Sequence, residues 1–76
     1  MTFEIDKEGT EEIVAKIKKL DEKAIIKESD DGEFIEIITT LRAFLNRYED
    51  KHYIHIYKDN KSVDIPIEYV ETIWGL

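Results

Sequence analysis

Isoleucine outnumbers leucine thirteen to four in this chain, and much of it recurs at every second position. Phe3-Glu4-Ile5, Ile35-Glu36-Ile37 and Ile54-His55-Ile56 all alternate. A β-branched side chain is stiff in a helix and packs well on a pleated, half-buried surface, so the pattern points to sheet. At 76 residues there is room for one domain with a thin core. The absence of cysteine excludes disulfides, thiolate chemistry and sulfur-ligated zinc. Apolar stretches of two or three residues are far too short to span a bilayer, and no signal peptide opens the chain. The expectation is a soluble, cytoplasmic protein, with residues 1–76 forming one domain.

Along the chain, Thr2–Asp6 reads as a strand with Phe3 and Ile5 on one face. Gly9 and Thr10 end it, and Thr10 is placed to cap a helix over 11–20 with Glu11 and Glu12 in its first turn. Ile13, Val14, Ile17 and Leu20 fall at helical spacing. Residues 23–29 and 33–39 flank Asp30-Asp31-Gly32, a hairpin signal. Leu41, Phe44, Leu45 and Tyr48 lie at i, i+3, i+4 and i+7, so 40–48 is expected as a helix, or alternatively as strand and loop. Lys51–Lys58 alternates as a strand, and residues 62–65 return after a turn at Asp59-Asn60-Lys61. Pro66 suits the first turn of a helix through Trp74; the alternative is a short turn and a closing strand. The fold class expected is α+β: an antiparallel sheet of about five strands with one to three helices packed on it. A small SH3-like barrel with an N-terminal strand and helix is the alternative. Ile5, Ile13, Ile17, Leu20, Ile54, Ile56 and Ile65 are the expected core.

Eighteen acids against eleven bases leave a formal charge of −7. Nucleic-acid binding needs a positive surface that displaces counterions, so direct binding to nucleic acid is not expected, nor is binding to an anionic membrane. A surplus of this sign instead steers a protein towards basic partners. The acids cluster in residues 1–12 and 21–36, whereas 13–20 and 41–58 are net positive. Nine lysines against two arginines suit an AT-rich bacterial or phage genome.

No catalytic constellation is expected. His52 and His55, the two histidines, fall on opposite faces of a strand and cannot share a metal. The glycines are isolated, which excludes a phosphate loop, and no serine sits in a nucleophile elbow. The paired carboxylates stand at helix starts and turns, where acids have local structural reasons to be, although as an array they could imitate phosphates. Neither metal nor cofactor is implied.

The surface candidates are of two kinds. Tyr53, His55 and Tyr57 line one face of their strand as a recognition platform, or simply cover the sheet. Asp30, Asp31, Glu33 and Glu36 are the candidate steering acids, with Glu4, Glu8, Glu11 and Glu12 as the alternative placement. Trp74 is a further candidate anchor. Phe3-Glu4-Ile5-Asp6-Lys7-Glu8-Gly9, followed by Ile13, Ile17 and Leu20, resembles the strand–helix opening of small bacterial immunity proteins. His52-Tyr53-Ile54-His55-Ile56 is similar to a histidine-containing strand in the same family. Small phage-encoded inhibitors of bacterial defence systems form a neighbouring class of like size and charge. The resemblance implies a cytoplasmic, non-catalytic protein that neutralises a toxin by binding it. The rival expectation is a structural or oligomeric domain, in which Tyr53, Tyr57 and Trp74 pair subunits as a homodimer.

Overall fold

The computed structural model describes residues 1–75. Its elements are β1 (Thr2–Asp6), α1 (Glu11–Leu20), β2 (Ile25–Glu28), β3 (Phe34–Ile38), β4 (Arg42–Tyr48), β5 (Lys51–Lys58), β6 (Lys61–Pro66), a 3-10 turn (Ile67–Tyr69) and β7 (Val70–Trp74). The class is α+β, but the strands divide between two antiparallel sheets, in the orders β2-β3-β1-β7 and β4-β5-β6. Among the described residues, seven strands in two sheets thus stand where one sheet of about five was expected, and the one α-helix falls within the expected one to three.

The two extra strands lie in the stretches that helical spacing had suggested were helices. Residues 42–48 do not alternate cleanly, yet as β4 they lay Ala43 opposite Ile56 and Leu45 opposite Ile54. A short helix there would have had to stand on its own propensity, which is marginal at that length. Between 66 and 74 the chain makes one 3-10 turn and then runs as β7 along β1. The reading of a turn and closing strand is therefore the one adopted, in two separate ladders rather than one sheet.

The inner faces of both sheets meet in one core. Phe3, Ile5 and Ile37 from the first, and Ile54, Ile56, Val63 and Ile65 from the second, are buried together with Ile17 of α1 and Leu41. Ile13 and Leu20, expected in the core, are only partly buried against it. The helix packs against β6, at one edge of the three-stranded sheet. Thr10 holds the N-cap position without capping. Its buried hydroxyl turns back to donate to the Asp6 carbonyl, with the Lys7 carbonyl 3.3 Å away, and so fastens the end of β1 to the helix start.

The crossing from one sheet to the other is tied by Thr39, which is buried. Its hydroxyl donates to Asp21 Oδ2 at 2.7 Å and accepts the Leu41 N–H at 3.1 Å. Asp21 also accepts the backbone N–H of Lys23 at 3.1 Å. These bonds, the Thr39 hydroxyl foremost, hold the Asp21 carboxyl below its ordinary value of 3.8. The β4–β5 and β5–β6 hairpins close through two-residue loops, and Glu49 (φ 57°) and Asp59 (φ 56°) take left-handed backbone at the first loop position.

Candidate functional site

Partners across an antiparallel ladder share a face, so the registers lay out both outer surfaces. On the four-stranded sheet, one row reads Ile25, Ile38, Thr2, Trp74, and the next reads Lys27, Glu36, Glu4, Thr72. Asp6 opposes Phe34 in the row after that. Two features stand out against ordinary sheet chemistry. Glu4 and Glu36 are direct cross-strand partners, a like-charge pair with one cation beside it, Lys27, which stands opposite Glu36 on its other side. Beside them, Ile25 and Trp74 are each 49% exposed.

At the Asp6–Phe34 end, this face runs into a hollow of about 540 Å³. It is walled by Asp6, Glu8, Glu11 and Glu33, with Lys7 and Phe34. The end of β1, the helix start and the hairpin tip converge there. Acids that the sequence offered as two alternative placements therefore contribute to one surface. Lys7 is drawn away by Glu28, whose Oε1 lies 2.8 Å from its Nζ. Four carboxylates against one engaged ammonium leave the hollow able to receive a cationic side chain.

The hairpin acids differ in what they do. Asp31 accepts from the Ser29 hydroxyl at 2.6 Å and from the Glu33 N–H at 3.0 Å. Those bonds, the Ser29 hydroxyl first, hold its carboxyl below 3.8, and they give it a turn-forming role. Asp30 is exposed at the same tip, Glu33 reaches the hollow, and Glu36 lies on the sheet.

Tyr53, His55 and Tyr57 do share a face, the outer one of the three-stranded sheet, with rows Arg42–Tyr57–Ser62, Phe44–His55–Asp64 and Asn46–Tyr53–Pro66. The Phe44 and His55 rings are 4.8 Å apart, and Tyr57 lies 5.7 Å from Phe44 and 5.9 Å from His55. His55 Nδ1 meets Asp64 Oδ1 at 2.6 Å. His52 occurs on the opposite face, level with Arg47.

Both sheets bury their inner faces in the common core, so their outer surfaces point away from each other. The eight residues singled out from sequence consequently divide. Glu33, Glu36 and Trp74 belong with the four-stranded sheet, Asp30 and Asp31 with its hairpin tip, and Tyr53, His55 and Tyr57 with the other side. Phe44, Arg42 and Asp64 were missed, because only a strand at 42–48 places Phe44 and Arg42 beside β5. The imperfect period-two run Arg42-Phe44-Asn46-Tyr48 was the available signal.

Among the described residues, no three His, Asp or Glu side chains converge on a metal position, and no helix is long and apolar enough to cross a membrane. No protein-family model, curated protein or solved structure matches this chain.

Proposed function

We propose that this protein is a small, acidic, non-catalytic binder, acting in the cytoplasm, that covers and neutralises a basic surface of another protein. An immunity protein or a phage inhibitor of a bacterial defence nuclease would act in this way. The observation that carries the reading is the outer face of the four-stranded sheet. There Glu4 is set against Glu36, beside the exposed Trp74 and Ile25 and the acidic hollow. Charge of one sign accelerates encounter and rejects wrong partners, while affinity comes from a few desolvated anchors. Glu4, Glu33, Glu36, Asp6 and Asp30 supply the field, Trp74 and Ile25 the anchors, and the hollow a seat for a lysine or arginine of the partner.

The test is capture from bacterial extract, with the full chain as bait, across a salt series. A second bait carries Asp30→Asn, Glu33→Gln and Glu36→Gln together. The expected result is one stoichiometric basic protein, retained less as salt rises and less again by the substituted bait. Retention indifferent to both would sink the reading. A turnover activity lost on His55→Ala with folding intact would remove its non-catalytic part.

A further inference from the structure

We infer that β4 is a pairing edge through which two copies of this chain join their three-stranded sheets into one of six. A sheet edge presents unpaired backbone N–H and C=O groups, and folded proteins ordinarily blunt it with shortness, charged side chains, proline, a bulge or a covering element. The other three edges carry such devices. The β6 edge has α1 packed against it and ends in Pro66; β2 is four residues long and contains Lys27; β7 meets β1 through a register shift at Glu4/Ile5. Of these the β4 edge has only two charges, Arg42 and Arg47, and Arg47 is engaged by Asp50 Oδ1 at 3.6 Å. It runs seven residues in unbroken register with β5, without proline, glycine or lysine. Large apolar side chains project from both of its faces, with Phe44 46%, Leu45 57% and Tyr48 70% exposed.

The sequence of the strand selects a second copy as the occupant. An antiparallel, two-fold pairing that uses all seven residues must centre on Leu45. Leu45 then faces Leu45 of the second copy, Phe44 faces Asn46, Arg42 faces the Tyr48 ring and Ala43 faces Arg47. Each arginine lands opposite an uncharged residue, and Arg47 is already drawn towards Asp50 Oδ1 at 3.6 Å and the Glu49 carbonyl at 3.1 Å. The axis therefore carries apolar contact and no like-charge pair, as an isologous interface requires. A ladder of this length is smaller than the ~800 Å² per partner of a standard interface, which makes the dimer concentration-dependent.

The inference does not depend on the acidic face binding anything, and salt separates the two. Screening weakens attraction to a basic partner but relieves repulsion between two copies of −7, so dimerisation strengthens as salt rises. Sedimentation velocity over a concentration and salt series should show a reversible monomer–dimer equilibrium moving towards dimer with salt. Leu45→Lys, at an exposed site, should abolish the dimer with the circular dichroism spectrum unchanged, and Trp74→Ala should leave it intact. Because the chain has no cysteine, Leu45→Cys reads the register directly, and mild oxidation should give a disulfide-linked dimer. A chain that stays monomeric throughout, pairing only with foreign strands, would overturn the inference. So would a dimer that survives Leu45→Lys, or oxidative linkage at Trp74→Cys as readily as at Leu45→Cys.

Discussion

The outer face of the three-stranded sheet carries Phe44, Tyr53, His55 and Tyr57, whereas that of the four-stranded sheet carries Glu4, Asp6 and Glu36 with Phe34 and Trp74. On the three-stranded sheet the side chains answer one another. Phe44, His55 and Tyr57 are in mutual ring contact, and Asp64 is joined to His55. On the four-stranded sheet the one such pairing in the central row is Lys27 with Glu36. Glu4 opposes Glu36, and Trp74 and Ile25 stand half exposed beside them. Both faces leave apolar surface wet, with Phe44 and Tyr48 exposed on one and Trp74 and Ile25 on the other, so what separates them is the contact among rings on the first and the concentration of acids on the second. Residue types along single strands cannot make that distinction, because it lies in which strands are neighbours.

The contrast can be attacked at several depths. The largest effects belong to what both faces share. Phe3→Ala, under the acidic face, should cost about 3–5 kcal/mol, and Ile56→Ala, under the aromatic one, about 2–5 kcal/mol. Each should lower the midpoint seen by Trp74 fluorescence and by far-UV circular dichroism equally; separate transitions would mean that the sheets are independent units. Next comes the tie between them. Thr39→Ala removes a buried hydroxyl that joins Asp21 to Leu41 and should cost about 1–3 kcal/mol in chemical denaturation.

The same contact sets an acid dependence. The folded carboxyl of Asp21 titrates below its unfolded value of 3.8, so its contribution is fully present above about pH 4 and is lost as pH falls through the depressed value. Asp21→Asn should flatten stability against pH in that window, and an unchanged profile would remove Asp21 from the account. Smaller still is the relief of like charge. Glu4→Gln, which leaves Lys27 opposite Glu36, should raise stability by roughly 0.2–1 kcal/mol, most at low salt. Destabilisation there would mean that the acidic face is as self-satisfied as the aromatic one. On that other face, Asp64→Asn should cost about 0–1 kcal/mol, since the pair is partly solvated.

Local chemistry made much of this legible. β1, α1, the β2–β3 hairpin and β5 follow from alternation, helical spacing and turn residues, and Tyr53, His55 and Tyr57 share a face as their spacing requires. What failed did so for identifiable reasons. Residues 41–48 carry helical spacing without clean alternation, and the ladder with β5, which lies outside any local window, decides for the strand. The same holds for 66–74, where β1 supplies the missing partner. Of the surface, the acids were visible as a cluster, but their convergence on one hollow needs the helix start to lie beside the hairpin tip. The opposition of Glu4 and Glu36 needs β1 to return against β3. Trp74 is half exposed, on the side away from the tyrosines.

The order in which the ladders can close follows from their partners. In the three-stranded sheet, pairing begins across two-residue loops, at Tyr48 with Lys51 and Lys58 with Lys61, and zips outward. In the other sheet Thr2 must find Trp74 and Phe3 must find Ile73, so nearly the whole chain is looped out before a contact forms. Loop-closure entropy places such contacts late on the folding path and makes them sensitive to chain length. The meander of β4, β5 and β6 is thus the natural nucleus, and β7 the piece that docks last. Its arrival completes the row containing Trp74. The outer face of the four-stranded sheet is therefore complete only at the end of folding, and nascent or frayed chains lack it.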